Sequence, residues 1–159
     1  MLDRSDGESL RSGFLRNAKA HPDRPAVVVR GGTLSYGQLE STARRWAGAI
    51  TEACGRRPER VGLFAYRSEV SYAGTLATLF AGATFVPLNP TFPPEKTAAM
   101  IVRAELDAIL VDKACLPHLS KVFSEAPSLP VLLPENDAAE CPFKGRILGK
   151  AELESAQPL

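Results

Sequence analysis

The chain has 159 residues, of which 45% are hydrophobic, so it is long enough to bury one substantial core. Lys and Arg total 19 and Asp and Glu total 18, which leaves a formal net charge of +1. This balance gives no electrostatic reason to expect binding to nucleic acid or to a membrane surface. No apolar run approaches the roughly 20 residues that span a bilayer, and residues 1–8 lack the apolar core of a signal peptide.

The cysteines indicate a reducing compartment. Cys54, Cys115 and Cys141 are odd in number, widely separated and without Cys-x-x-Cys spacing. This pattern favours buried thiols over a disulfide framework or a metal site, and it predicts a cytoplasmic protein.

Helix-like and strand-like segments alternate along the chain. A short helix is predicted from Phe14 to the pair His21-Pro22, followed by a strand at 26–29. The Gly-rich turn 30–32 and the returning segment from Thr33 predict a β-hairpin.

The next helix has the clearest pattern. One apolar face is formed at helical spacing by Leu39, Ala43, Trp46, Ile50 and Ala53. This periodicity predicts that the face packs against the core, Trp46 included.

Both ends of that helix carry capping residues. Ser35 and Gln38 have the spacing of a capping box, and Leu34 and Leu39 that of a hydrophobic staple. Gly55 supplies the left-handed residue that ends a helix.

The following segments predict a layered sheet. The apolar run 61–65 is typical of a strand covered on both faces. Ser68 can cap a helix at 69–81, which is apolar on nearly every side and is therefore predicted to be buried between layers. A strand at 84–86 is expected to stop at Pro87.

The second half repeats this alternation. A helix between 98 and 104, a strand at 108–111, a helical stripe at 116–123 and a strand at 131–133 are predicted. Beyond Pro134 the pattern is weak. The predicted fold class is α/β, with a parallel or mixed sheet flanked by helices.

Four acidic residues stand near predicted strand ends, where open α/β sheets place ligands. They are Glu95, Glu105, Asp107 and Asp112. A ligand site is one interpretation, but solvated helix caps are the favoured one, because Asp is a preferred capping residue.

Other candidate sites are weaker. His21 and His118 lie in different elements and predict neither a metal site nor a triad. The pair Gly149-Lys150 lacks the Ser or Thr of a phosphate loop, since Ala151 follows it.

Two stretches carry a family resemblance. The segments 34–39 (LSYGQL) and 79–90 (LFAGATFVPLNP) resemble, in order and spacing, the first two core motifs of the adenylate-forming, AMP-binding ligase superfamily. The joining pieces 21–27, 67–68 and 108–111 are similar as well. The forms Leu-Ser-Tyr and Ala-Gly-x-x-Phe-Val-Pro are most similar to the amino-acid adenylation domains of nonribosomal peptide synthetases.

The resemblance implies an incomplete N-terminal part of a larger α/β domain. On this interpretation, residues 1–13 are a polar tail and 14–134 the N-terminal subdomain of an adenylate-forming ligase. Residues 135–159 are then a weakly ordered connection towards a phosphate loop that would follow.

The resemblance also implies an ATP-dependent ligase that activates a carboxylate, expected to be an amino acid, as an acyl-adenylate with release of pyrophosphate. It transfers no catalytic, cofactor-binding or metal-binding residue to this chain, which is expected to be inactive alone. ATP and Mg²⁺ are implied for the complete enzyme. The expected partners are the remainder of the adenylation domain, in cis or in trans, and a carrier protein.

Two alternatives stay open. The chain could be a non-catalytic binding or interaction module built on a ligase-like α/β scaffold. It could also be an unrelated nucleotide-binding α/β protein, which is disfavoured because no glycine-rich loop follows a strand.

Overall fold

A computed structural model describes residues 9–29, 32–142 and 145–159. Helix α1 (Ser12–Ala20) precedes strands β1 (Pro25–Val29) and β2 (Gly32–Ser35), which pair antiparallel and confirm the predicted hairpin. Residues 30–31 of its turn lie outside the described residues. Among the described helices, none is both long and apolar enough to cross a membrane.

Helix α2 (Tyr36–Cys54) begins and ends at the predicted caps. The Gln38 N–H donates to the Ser35 hydroxyl at 3.2 Å, and the Ser35 N–H donates to the Gln38 side chain at 2.9 Å. Gly55 has φ 65°, a left-handed conformation that glycine adopts without steric cost. Leu34 packs against the core cluster that contains Leu39, as the staple predicts.

A five-stranded parallel sheet forms the centre of the fold, in the order β4-β3-β5-β6-β7. Its strands are β3 (Arg60–Phe64), β4 (Thr84–Leu88), β5 (Ala108–Val111), β6 (Val131–Leu132) and β7 (Ile147–Leu148). The helices between them are α3 (Glu69–Phe80), α4 (Pro94–Arg103) and α5 (Leu119–Phe123), and α6 (Lys150–Ser155) follows the last strand.

Each face of the sheet is covered by a separate apolar cluster. Val61, Leu63 and Leu110 point to the face covered by α2, α3 and α6. Phe64 and Ile109 point to the opposite face, covered by α4 and α5. The side chains of β3 and β5 are therefore buried alternately on both sides, which explains the continuous apolar runs in the sequence.

Two local predictions are wrong. Strand β4 continues through Pro87 to Leu88. Because β4 lies at the edge of the sheet, its outer side has no partner strand, and a proline that lacks an N–H on that side breaks no hydrogen bond of the sheet. Helix α3 is not buried all round: Val70 and Ala73 pack inward, whereas Tyr72 is 41% exposed.

The last segment contains more structure than its weak pattern indicates. The division at residue 134 stays a prediction, but within the described part of 135–159, β7 extends the sheet and α6 buries Leu153 against α2. Leu153 is 1% exposed. A single buried leucine and a strand of two residues provide too few apolar positions to produce a periodic pattern in the sequence.

The residues after α6 lie along α2. The Leu159 N–H donates to the Arg44 carbonyl at 3.0 Å, and the Arg44 guanidinium donates to the Leu159 carbonyl at 3.0 Å. A Cβ at Gly48, in the middle of α2, would collide with the main-chain oxygen of Gln157. Gly48 therefore allows the segment to approach the helix closely.

Asp107 joins two loops at the amino edge of the sheet. Its carboxylate accepts from the Glu59 N–H at 2.6 Å and the Arg60 N–H at 3.0 Å, and it pairs with the Arg56 guanidinium. Burial raises the pKa of Asp107, but the Arg60 and Glu59 amides and the Arg56 charge outweigh it, so that the pKa lies below its usual value.

We expect Gly48→Ala to destabilise the chain by about 1 kcal/mol. In a helix interior the change normally stabilises by about 0.5–1 kcal/mol. Here it should displace residues 157–159 and their two hydrogen bonds, each worth about 1 kcal/mol. Urea denaturation measures the difference. Gly13→Ala in α1, where a Cβ meets nothing within 4 Å, is the control and should be neutral or stabilising. A stabilising Gly48→Ala would show that the segment does not dock.

We expect Asp107→Asn to reduce stability at neutral pH and to have a shrinking effect as the solution is acidified. A carboxylate with a lowered folded-state pKa stabilises above the unfolded pKa of about 3.9, and that contribution is lost as the pH falls through the folded pKa. Urea midpoints of wild type and variant, measured from neutral to strongly acidic pH, should converge. Asp23→Asn, at an exposed turn, controls for the loss of one charge. A constant difference across the range would rule out this role.

Candidate functional site

The carboxyl ends of β3 and β5 form a topological switch point. Strand β3 is followed by α3 on one face of the sheet, whereas β5 is followed by α5 on the other face. Their loops therefore diverge and leave a crevice between neighbouring strands. Open α/β sheets bind ligands at such crevices.

Asp112 fills the base of this crevice. One of its carboxylate oxygens accepts from the Tyr66 N–H at 2.8 Å and from the Ser68 hydroxyl at 3.1 Å. The other accepts from the Cys115 N–H at 2.9 Å. The prediction of a solvated cap is wrong in part: the bond to Cys115 does start the next turn, but Asp112 is 1% exposed.

These bonds make Asp112 a structural brace rather than a free acid. Both carboxylate oxygens are used by donors from the β3 and β5 loops, and Ser68 occupies the N-cap position of α3. A carboxylate accepting several protein hydrogen bonds has little remaining capacity for a ligand. The sequence predicted both Ser68 and Asp112 as caps, but not that they bond to each other.

The other three acidic candidates do not join Asp112. Asp107 and Glu105 precede β5 and lie at the amino edge of the sheet, where Glu105 is 3.5 Å from the Arg60 guanidinium. Glu95 lies exposed in the first turn of α4. The acidic residues are thus distributed over both edges of the sheet.

Two cavities lie at the carboxyl edge. We name the first the aromatic groove: it has a volume of about 620 Å³, and Tyr66, Tyr72 and Phe92 contribute to its lining beyond β3 and β4. The Lys96 ammonium lies 3.6 Å from the centre of the Phe92 ring. The groove is open and its residues are mainly apolar, so it offers contact area rather than acid or base chemistry.

We name the second cavity the Trp46 pocket. It has a volume of about 510 Å³ and lies between α2, the first turn of α3, the loops after β5 and β6, and α6. The sequence prediction of Trp46 as a core residue is confirmed, since it is 8% exposed within the main cluster. Its neighbours Arg45 and Lys113 were not singled out in the sequence, because neither lies on an apolar face.

The remaining candidates lie in different elements of the fold. His21 and His118 are exposed in separate elements. Gly149 is the residue before α6, and its N–H donates to the Glu152 carboxylate at 3.0 Å, so the pair Gly149-Lys150 is a helix start. Within the described ranges, no three His, Cys, Asp or Glu side chains are grouped to hold a metal ion. We therefore assign no Mg²⁺ ligand among these described residues.

The three cysteines differ in exposure. Cys115 is buried, while Cys54 and Cys141 are half-buried. Burial, followed by the nearby Asp107 charge, raises the pKa of the Cys54 thiol. A raised pKa disfavours the thiolate and hence nucleophilic reactivity.

Comparison with known proteins identifies the fold. In sequence, the chain is 32% identical over 132 residues to syringomycin synthase SyrB1 of Pseudomonas syringae pv. syringae, covering 80% of this chain and 22% of SyrB1. In structure, it is similar to IdnL7 with a TM-score of 0.81 and 37% identity, covering 94% of this chain and 30% of that one.

A more distant structure shares the fold alone. The adenylation domain AlmE of Vibrio cholerae, solved with glycyl-adenosine-5'-phosphate, is 20% identical with a TM-score of 0.73, and the match covers 94% of this chain and 28% of AlmE. The chain thus spans less than a third of each of these three proteins.

The family comparison agrees with the motifs. Residues 14–156 match the AMP-binding enzyme family, a range that includes both core stretches, the whole parallel sheet and the Asp112 brace. The predicted resemblance and the predicted α/β fold class are both confirmed. The chain belongs to the AMP-binding enzyme family.

Proposed function

We propose that this chain is the N-terminal part of an ATP-dependent ligase that activates an amino acid. In the reaction, a carboxylate oxygen attacks the α-phosphorus of ATP, the bond to the β-phosphate breaks, and pyrophosphate leaves with the acyl-adenylate formed. The observation that carries the proposal is the family match over residues 14–156. It is supported by the small fraction of each relative's length that the chain covers.

Two observations favour an amino acid as the substrate. The forms of the two motifs, 34–39 and 79–90, are most similar to those of amino-acid-activating domains. AlmE, which shares this fold, was solved with a glycyl adenylate. A carrier protein that accepts the acyl group belongs to the same proposal, as does a location in the reducing cytosol.

We further propose that the chain alone does not carry out this reaction. Adenylation needs charge stabilisation around the phosphates by cations and by preorganised N–H donors. The buried acid at the switch point is used internally, and the described residues offer no metal cluster. ATP and Mg²⁺ are therefore assigned to the remaining part of the enzyme, which is also the proposed partner of this chain.

In this proposal, the role of the chain is to position that remaining part. The fully covered β3 and β5 form a rigid support, and the Asp112 brace fixes the loop that carries Tyr66. Catalytic groups must be held to within a fraction of an ångström, so a rigid support contributes to the rate without touching the substrate.

We expect no amino-acid-dependent exchange of pyrophosphate into ATP by the pure chain. A fusion that replaces the N-terminal segment of IdnL7 by this chain should show such exchange, because the two segments share 37% identity and one fold. IdnL7 cut and rejoined at the same position is the matched control.

Two outcomes contradict the proposal separately. Exchange by the pure chain would show that it is competent alone. A folded but inactive fusion beside an active control would favour the alternative, a non-catalytic interaction module.

A further inference from the structure

The segment that follows α6 runs along α2 in a defined direction. The Gln157 main-chain oxygen lies against Gly48, and two residues later the Leu159 N–H donates to the Arg44 carbonyl at 3.0 Å. Gly48 and Arg44 are one turn apart, which is a rise of about 6 Å. Two extended residues span about 7 Å. The segment is therefore extended and runs antiparallel to α2, towards the first turn of that helix.

Arg44 holds this segment with both its main chain and its side chain. Its carbonyl can accept from Leu159 in addition to its helix bond, because a carbonyl oxygen has two lone pairs. Its guanidinium donates to the Leu159 carbonyl at 3.0 Å. The same guanidinium pairs with the Glu40 carboxylate at 2.8 Å and lies 4.9 Å from the centre of the Phe80 ring. The side chain that holds the segment is therefore itself fixed by two neighbours.

A cavity of about 460 Å³ continues the path of this segment along α2. We name it the α2 groove. One side of it is formed by the first half of α2 and the other by the end of α6 and the residues that follow, and its lining residues are Gly37, Glu40, Ser41, Arg44, Arg45, Glu154, Ala156 and Pro158. The groove thus begins beside the segment and reaches the first turn of α2.

The α2 groove fits a short length of extended polypeptide. Gly37 lies seven residues before Arg44, so the groove extends about 10 Å beyond the Arg44 carbonyl. About three extended residues span this distance. The groove is lined by two basic and two acidic side chains, so its charge is balanced and does not select an ion. A neutral main chain that continues from Leu159 meets both conditions.

The groove leads towards the carboxyl edge of the sheet. The end of α2 lies at the amino edge, where the Cys54 thiol donates to the Asp107 carbonyl at 3.6 Å. Helix α2 is joined to β3 by a short loop and runs antiparallel to it, so its first turn lies at the carboxyl edge. A chain that follows the groove therefore arrives at the edge where the crevice between β3 and β5 opens.

We propose that, in the complete ligase, the polypeptide that follows residue 159 lies in the α2 groove. The occupant is identified by continuity, since the segment before it is already seated on the same face of α2. This inference rests on the proposed function, because it needs a remaining part of the enzyme that is joined to this chain. It assigns the outer face of α2 to the enzyme's own next segment, which that face directs to the carboxyl edge.

A disulfide cross-link tests the path. In the fusion to IdnL7, Ser41→Cys places a thiol in the groove, and Ser41 is exposed in this chain, so the change leaves the core intact. A second cysteine replaces the second residue after Leu159, which the extended path brings one turn beyond Arg44, beside residue 41. We expect oxidised glutathione to link these two positions, as measured by mass spectrometry of the joined peptides.

Ser120→Cys, combined with the same second cysteine, is the matched control. Ser120 is also an exposed helical serine, but it lies in α5 on the opposite face of the sheet. We expect at least tenfold more cross-linked product with position 41 than with position 120. Similar yields at the two positions in a folded fusion would overturn the inference.

The exchange of pyrophosphate into ATP separates this inference from the proposed function. An active fusion that does not form the link to position 41 would overturn the inference alone. A cross-linked fusion without exchange would contradict the proposed function and support the path along α2. If the fusion does not fold, this chain extended by the next six residues of IdnL7 decides, and absence of the link there would overturn the inference.

Discussion

The fold depends on how two neighbouring parallel strands are held together at their carboxyl ends. The bonding between β3 and β5 ends with the Asp112 N–H, which donates to the Phe64 carbonyl at 3.2 Å. Beyond this point the chain of β3 turns to one face of the sheet, while that of β5 turns to the other. Asp112 spans this divergence by accepting from Tyr66 and Ser68 on one side and from Cys115 on the other.

A buried carboxylate without a cation is stable only if its hydrogen bonds are made. Hydrogen bonds to a charged group contribute about 1.5–3 kcal/mol each, and leaving such a group without partners costs more. The three donors around Asp112 therefore set the path of the loop 65–68, and with it the start of α3. Since α3 packs on α2 and on the sheet, the brace connects the layers on this face of the protein.

The same geometry separates the two cavities. Tyr66, which donates to Asp112, contributes to the aromatic groove on one side of the loop. Val70, two residues after the Ser68 cap, contributes to the Trp46 pocket on the other side. A support with a fixed crevice is consistent with the proposed role of this chain, which is to position the remaining part of the enzyme.

Much of this fold could be predicted from the sequence. The spacing of Leu39, Ala43 and Trp46, the Ser35 cap and the apolar run of β3 are local signals, and each was confirmed. The contact between Asp112 and Ser68 could not be predicted, because it depends on the pairing of β3 with β5, which are separated by a strand and two helices. The extent of β4 past Pro87 depended likewise on its edge position, which only the strand order reveals.

The charges of the Trp46 pocket illustrate the same limit. Arg45, Lys113 and Glu135 come from three different elements, and no spacing in the sequence relates them. Composition and motif could identify the family, but they could not show that these residues line one cavity.

Asp112 and Ser68 act as a unit that ties β5 to the loop after β3. A double-mutant cycle of Asp112→Asn and Ser68→Ala tests this claim most directly, with unfolding free energies measured in urea. We expect a coupling energy of at least about 1 kcal/mol, since the Ser68 hydroxyl donates to the Asp112 carboxylate. A free-energy change of the double variant that equals the sum of the two single changes to within about 0.3 kcal/mol would contradict this coupling.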